Sequence, residues 1–229
     1  MTSSSLPSHS CLIVAGEKSG EEHALSFIDY LKEQDSHLSF WGVGGDGLEK
    51  KGVELVYHLR DFSSWGYSEV IQKIPFYFRA MSRLEKEVEK RECRVAILVD
   101  FQSFNLKLAE KLHSRGVEIL YYVAPQAWAW KSYRVKKLAK NVTKLFTIIP
   151  FEQSWFLEKG VHSVQGVPHP VWLTYRKQLQ QLRVSPKSKP ENLLVLPGSR
   201  NFEVKELLPK FVKTLNKLRE EFPLKATLV

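Results

Sequence analysis

The chain has 229 residues, 43% of them hydrophobic, with a formal net charge of +9 and a pI near 9.4. That apolar content excludes a disordered chain, and the length allows one large domain, or one full domain and part of a second. The excess of cations favours anionic partners such as nucleic acid, acidic lipid or phosphorylated small molecules, although a merely solvated basic surface has the same composition.

Cys11 and Cys93 each adjoin an apolar run, which predicts buried reduced thiols and a cytosolic setting. The seven histidines are scattered with none paired at i, i+4, so no metal site is expected. The start, MTSSSLPSHS, lacks the basic region of a secretory leader, and no apolar run approaches the length of a membrane span. Membrane contact is therefore expected to be peripheral.

Residues 1–10 read as a flexible tail. CLIVA (11–15) reads as a strand, and GEKSGEEHALSFIDYLKEQ (16–34) as a turn entering one helix. Ser19 and Glu22 have the spacing of a capping box. GEKSG lacks both the glycine spacing and the Lys-Ser/Thr ending of a P-loop, so alone it reads as a tight turn with Ser19 as an ordinary cap. LSFWGVGG is a second strand, DGLEKKG a short helix and VELVYHL a third strand or extended segment.

An aromatic stretch follows, with Trp65, Tyr67, Phe76, Tyr77, Phe78 and Met81 ahead of a charged helical run. Pro75 must start or kink a helix. With Lys73, Arg79 and Arg83 nearby, these aromatics suit a membrane interface, but local evidence alone favours a core role.

The stretch 95–130 organises the chain. VAILVD and VEILYYVAP are continuous apolar runs suited to strands buried on both faces, and LKLAEKLHSRG between them is amphipathic. This is a βαβ unit whose first strand ends on Asp100. In an open parallel sheet, ligands bind at the carboxyl ends of the strands, so Asp100 lies where chemistry is expected.

KSYRVKKLAKNVTK is a basic helix, KLFTIIP a strand and PFEQSWFLEKG a helix ending at Gly160. The basic helix alone would suit nucleic acid, but no recognisable nucleic-acid module accompanies it. Residues 171–191 are polar and Pro/Ser-containing, and read as a linker. NLLVL, PGSR, NFEVKELLPKFVKTLNKLREEF and LKATLV then give a strand, a turn, a helix and a strand. The turn holds Ser199 and Arg200. It reads equally well as a phosphate site at a helix N-terminus or as a capped turn with a surface arginine. The predicted fold class is α/β: a Rossmann-like parallel sheet over 11–170, and an incomplete second Rossmann-like domain over 192–229.

Five segments in order resemble the motifs of the lipid-A-disaccharide synthase family. They are AGEKSGE (15–21), WGYSEV (65–70), VDFQSFN (99–105), YVAPQAWAWK (122–131) and LPGSRNFE (196–203), and PFE (150–152) agrees as well. Departures from the family pattern fall at Glu21, Trp65, Ser103, Lys131 and GVPHPV (166–171). The resemblance implies an inverting GT-B glycosyltransferase without a cofactor. It would join UDP-2,3-diacylglucosamine to 2,3-diacylglucosamine 1-phosphate, giving a β-1,6-linked disaccharide 1-phosphate and UDP.

On that reading Asp100 is the general base, and Glu17, Ser19 and Asn105 position sugar or base. Ser199 and Arg200 hold the diphosphate, and Trp65, Phe76, Tyr77, Phe78 and Met81 face acyl chains or membrane. The implied setting is cytoplasmic and peripheral on an anionic inner-membrane surface, with no nucleic acid. Another chain would supply the missing half of the second domain, or the 229 residues alone would be inactive. The alternatives are another GT-B enzyme acting on UDP-N-acetylglucosamine, such as a 2-epimerase, and a non-catalytic fragment that binds acyl-sugar or membrane.

Overall fold

A computed structural model describes residues 9–62, 73–181, 192–198 and 201–229. Seven strands form one all-parallel sheet: β1 (His9–Ala15), β2 (Leu38–Gly44), β3 (Glu54–His58), β4 (Val95–Val99), β5 (Glu118–Tyr122), β6 (Lys144–Thr147) and β7 (Val164–Gly166). Their spatial order is β3-β2-β1-β4-β5-β6-β7. The order reverses between β1 and β4, where Ala15 pairs with Val99 at the last rung. This is the doubly wound topology, and its switch point opens a crevice beyond the carboxyl ends of β1 and β4.

Alternation along the strands explains why helices cover both faces. Leu12, Val14, Ala96 and Leu98 belong to one buried cluster. Cys11, Ile13, Ala15, Ile97 and Val99 belong to the other. Successive side chains point to opposite faces, so apolar residues at every position require cover on both sides. The helices α1 (Lys18–Leu25), α2 (Ile28–Gln34) and α3 (Asp46–Lys50) contribute Ala24, Ile28 and Leu48 to the second cluster. The helices α4 (Leu59–Phe62), α5 (Ile74–Lys90), α6 (Gln102–His113), α7 (Arg134–Asn141) and α8 (Glu152–Glu158) serve the first. Cys11 and Cys93 are free and buried.

Three local expectations change. The helix expected over 16–34 is two helices broken at Ser26–Phe27. Ser26 Oγ donates to the His23 carbonyl at 2.6 Å, and such local side-chain bonds compete with the helix ladder. Ser19 is not a cap: Glu17 holds the N-cap position with extended backbone, and no side chain closes that end. Residues Pro170–Gln181 form helix α9, where polar composition suggested the start of a linker, and the rest of that stretch, 182–191, lies outside the described residues. A polar sequence can still be helical when it lacks internal glycine and proline, as this one does after Pro170.

The chain divides into two compact units, residues up to Arg176 and from Lys177 onward. In the second, β8 (Asn192–Val195) and β9 (Lys225–Leu228) pair in parallel, joined by α10 (Asn201–Glu221).

Candidate active site

Two loops meet at the switch point. The first, Gly16–Glu17, leaves β1. The second, Asp100–Phe101, leaves β4. Gly16 has no room for a side chain: a Cβ there would stand 2.4 Å from the Phe101 ring. Phe101 in turn packs on Phe62 and Phe104, with ring centroids 5.4 and 5.3 Å away. An aromatic cluster thus clamps the two loops together.

Asp100 (φ 48°) and Phe101 (φ 45°) are both left-handed, a conformation few non-glycine residues adopt. Val123 and Lys131, in the loop after β5, are left-handed too. Backbone strain of this kind persists only where the surroundings hold it. Here the Asp100 amide donates to the Tyr122 carbonyl at 2.9 Å. The Asp100 carbonyl accepts from Tyr121 Oη at 3.0 Å and from Asn105 Nδ2 at 2.9 Å.

The Asp100 carboxyl is pushed up to about 6, first by burial and then by the like charge of Glu17, with partial relief from the Phe101 amide. Two carboxylates from adjacent strand ends therefore share the crevice. Glu17 and Ser19 are exposed there. This arrangement can accept a proton near neutral pH, the property a general base needs.

Asn105 lies in the core beneath the Asp100 turn. It is fully buried, and its Nδ2 donates to the carbonyls of Val14, Val99 and Asp100. These bonds tie β1, β4 and the Asp100 turn together, while the buried Oδ1 has no hydrogen-bond partner among the described residues. Ser199, Arg200 and Trp65 lie outside the described residues.

The aromatic segment divides in two. Met81 is buried, and Phe76 and Tyr77 pack half-buried against the core, so of the residues expected to face acyl chains or membrane these three turn inward. Their positions on α5 turn them inward, toward Phe62. Phe78 and Ile74 are exposed, at 58% and 45%. Between α5 and α6 lies an apolar cavity of about 220 Å³, lined by Ile74, Tyr77, Phe78, Met81, Phe104 and Lys107 among others. The Lys107 ammonium lies 5.6 Å from the Phe78 ring centroid.

Glu21 and Glu152 are buried acids with structural partners. Glu21 Oε1 accepts from the amides of Gly45 and Leu48 at 2.9 and 3.0 Å, so α1 caps α3. Burial raises its pKa, but these bonds and Lys18 outweigh that and hold it below the usual carboxylate range. Glu152 accepts from Trp128 Nε1 at 2.9 Å and so anchors the WAW loop. The spacing of PFE and WAW gives no hint of that contact.

Solved structures share this architecture. A Staphylococcus aureus MnaA–UDP co-structure matches with a TM-score of 0.62 at 12% identity, over 96% of this chain and 61% of that one. A UDP-GlcNAc 2-epimerase from Neisseria meningitidis bound to UDP-GlcNAc matches with a TM-score of 0.59 at 10% identity, over 96% and 64%. The sheet and its switch-point crevice are those of one Rossmann-like half of a GT-B protein. The chain belongs to the lipid-A-disaccharide synthetase family, whose model matches residues 11–229. It is 38% identical over 220 residues to lipid-A-disaccharide synthase of Myxococcus xanthus, covering 93% of this chain and 56% of the relative. It is 33% identical over 224 residues to that of Acidobacterium capsulatum, covering 93% and 55%. The chain thus spans about half the length of these curated relatives.

Proposed function

We propose that this chain is the acceptor-side half of an inverting glycosyltransferase of lipid A synthesis. The donor is UDP-2,3-diacylglucosamine and the acceptor 2,3-diacylglucosamine 1-phosphate. The observation that carries the reading is Asp100: a half-buried carboxyl at the switch point, raised to about 6 and faced by Glu17. As the acceptor 6-hydroxyl attacks the donor's anomeric carbon, Asp100 takes its proton. The new C–O bond forms, the bond to the diphosphate breaks, and UDP leaves. Asn105 and Tyr121 hold the turn that aims the carboxyl. Ser199 and Arg200, ahead of α10, hold the leaving diphosphate. The α5–α6 cavity takes part of an acyl chain, and Ile74 and Phe78 dip into an anionic membrane surface on the cytoplasmic side.

The test uses the chain together with a second half supplied in the same polypeptide or in trans. Asp100→Asn is nearly isosteric but cannot accept the proton, so kcat should fall by about 10²–10⁴-fold with acceptor KM little changed. The wild-type rate should climb as pH rises through about 6, as the carboxyl ionises. Wild-type kcat in Asp100→Asn would refute the assignment and turn attention to Glu17. The 229 residues alone should bind acceptor weakly and not turn over.

A further inference from the structure

Arg134 opens α7 and is 3% exposed, yet none of the described carboxylates pairs with it. Among the described residues its guanidinium has one hydrogen-bonded partner, the side-chain carbonyl of Gln102, which accepts from Nη1. Buried charges are almost always paired, because an unpaired one loses its hydration without replacement. The position compounds the cost, since a helix N-terminus already carries partial positive charge. A second cation lies against the same indole ring as Arg134. The Lys131 ammonium lies 4.2 Å from the Trp130 ring centroid, and the Arg134 guanidinium lies 5.3 Å from it. Among the described residues Lys131 has no carboxylate partner either, and its backbone is left-handed (φ 58°). The other side-chain N–H donors of Arg134 have no hydrogen-bond partner among the described residues. The group is built for an anion.

Its place says which anion. Gln102 stands two residues beyond Asp100, and the Tyr121 phenol feels the charges of both Asp100 and Arg134. The anion seat and the proposed base therefore border the same turn. From this juxtaposition we infer that Arg134, Gln102 and Lys131 form the seat for the acceptor's phosphate monoester, on the opposite side of one hexose from the hydroxyl presented to Asp100. The inference rests on the proposed function for the identity of the sugar, but the anion seat stands on the geometry alone. Arg134 offers two parallel N–H donors to a phosphate, a fork no lysine reproduces.

The experiment is calorimetric titration of the 229-residue chain with glucosamine 1-phosphate, glucosamine and UDP. Glucosamine 1-phosphate should bind and glucosamine should not. Arg134→Gln should weaken the phosphate ligand by about tenfold or more, as expected for losing a charge-assisted hydrogen bond. Gln102→Glu is the second variant, and it removes no side-chain volume. It gives Arg134 an internal counter-ion, so it should abolish phosphate binding while raising the thermal midpoint. Lys140→Gln, an exposed cation elsewhere on α7, should change neither. Unchanged binding in both Arg134→Gln and Gln102→Glu would overturn the seat, as would a wild type that does not distinguish glucosamine 1-phosphate from glucosamine. Loss of UDP binding with glucosamine 1-phosphate retained would assign the seat to the donor diphosphate and overturn the acceptor claim. Disaccharide formation is scored separately on the two-half enzyme. Arg134-dependent phosphate binding without any disaccharide would sink the proposed function and leave the seat standing.

Discussion

At Asp100, burial and the Glu17 carboxylate both favour the protonated form, so the folded chain holds this proton more tightly than the unfolded chain does. The consequence for stability follows by linkage. As pH rises from about 4 through about 6, the unfolded chain has already lost the proton and the native state is forced to lose it too, so stability falls. Asp100→Asn removes that penalty. It should stabilise the protein by up to about 3 kcal/mol at pH 7, and the gain should vanish below about pH 4. Urea unfolding at the two pH values measures it, and equal stabilities at pH 7 would contradict the burial of the charge. Glu21 should behave in the opposite sense. Its carboxylate is held low by two amides, so its contribution is present above the ordinary carboxylate range and is lost as pH falls. Glu21→Ala strands both amides and should cost about 1–3 kcal/mol, whereas Glu21→Gln keeps an acceptor and should cost less. A larger loss in the glutamine variant would mean that charge matters more than the cap.

Among the elements, α5 carries a prediction of its own. Ile74 and Phe78 are the exposed apolar residues at its start, with Arg79 and Lys107 as neighbouring cations. Ile74→Ser with Phe78→Ser should reduce flotation with anionic liposomes and leave the thermal midpoint nearly unchanged, because neither side chain is core. Met81→Ser should instead destabilise the fold, as a buried polar replacement does. Flotation unaffected by the double substitution would remove α5 from the membrane reading.

The α5 case also shows what was legible beforehand. The strands, their parallel order and the station of Asp100 follow from runs such as VAILVD, because a strand buried on both faces needs apolar residues at every position. The split of the aromatic segment does not, because helical phase decides which rings turn inward and Pro75 alone does not set that phase. Asn105 fits a motif whose chemistry suggests sugar contact, yet its amide group is held by three carbonyls at the ends of β1 and β4. Arg134 read as one cation among several in a basic helix. What distinguishes it is deep burial without a carboxylate partner among the described residues, which only the packed structure displays.

For the molecule as a whole, the two units differ sharply in burial. The first holds two apolar clusters, one on each face of its sheet. In the second, α10 has no buried residue among those described, and Leu194, Leu196, Phe202 and Leu228 are all more than half exposed. Hydrogen exchange on the 229-residue chain should show strong protection in β1, β4 and β5 and little in β8, β9 and α10. Comparable protection in both would mean that two strands and a helix suffice as a core.

The strand order has a further consequence, for the chain as it leaves the ribosome. β1 is made first but lies in the middle, between β2 and β4. β2 and β3 can cover only one of its edges. The other edge, a row of unpaired amides and carbonyls in one of the most apolar stretches of the protein, waits until residue 99 has emerged. An open apolar edge is a template for pairing with another chain. That edge of β1 is therefore exposed while β4 is still inside the exit tunnel, and afterwards the open edge passes outward from β4 to β7 without reopening the centre.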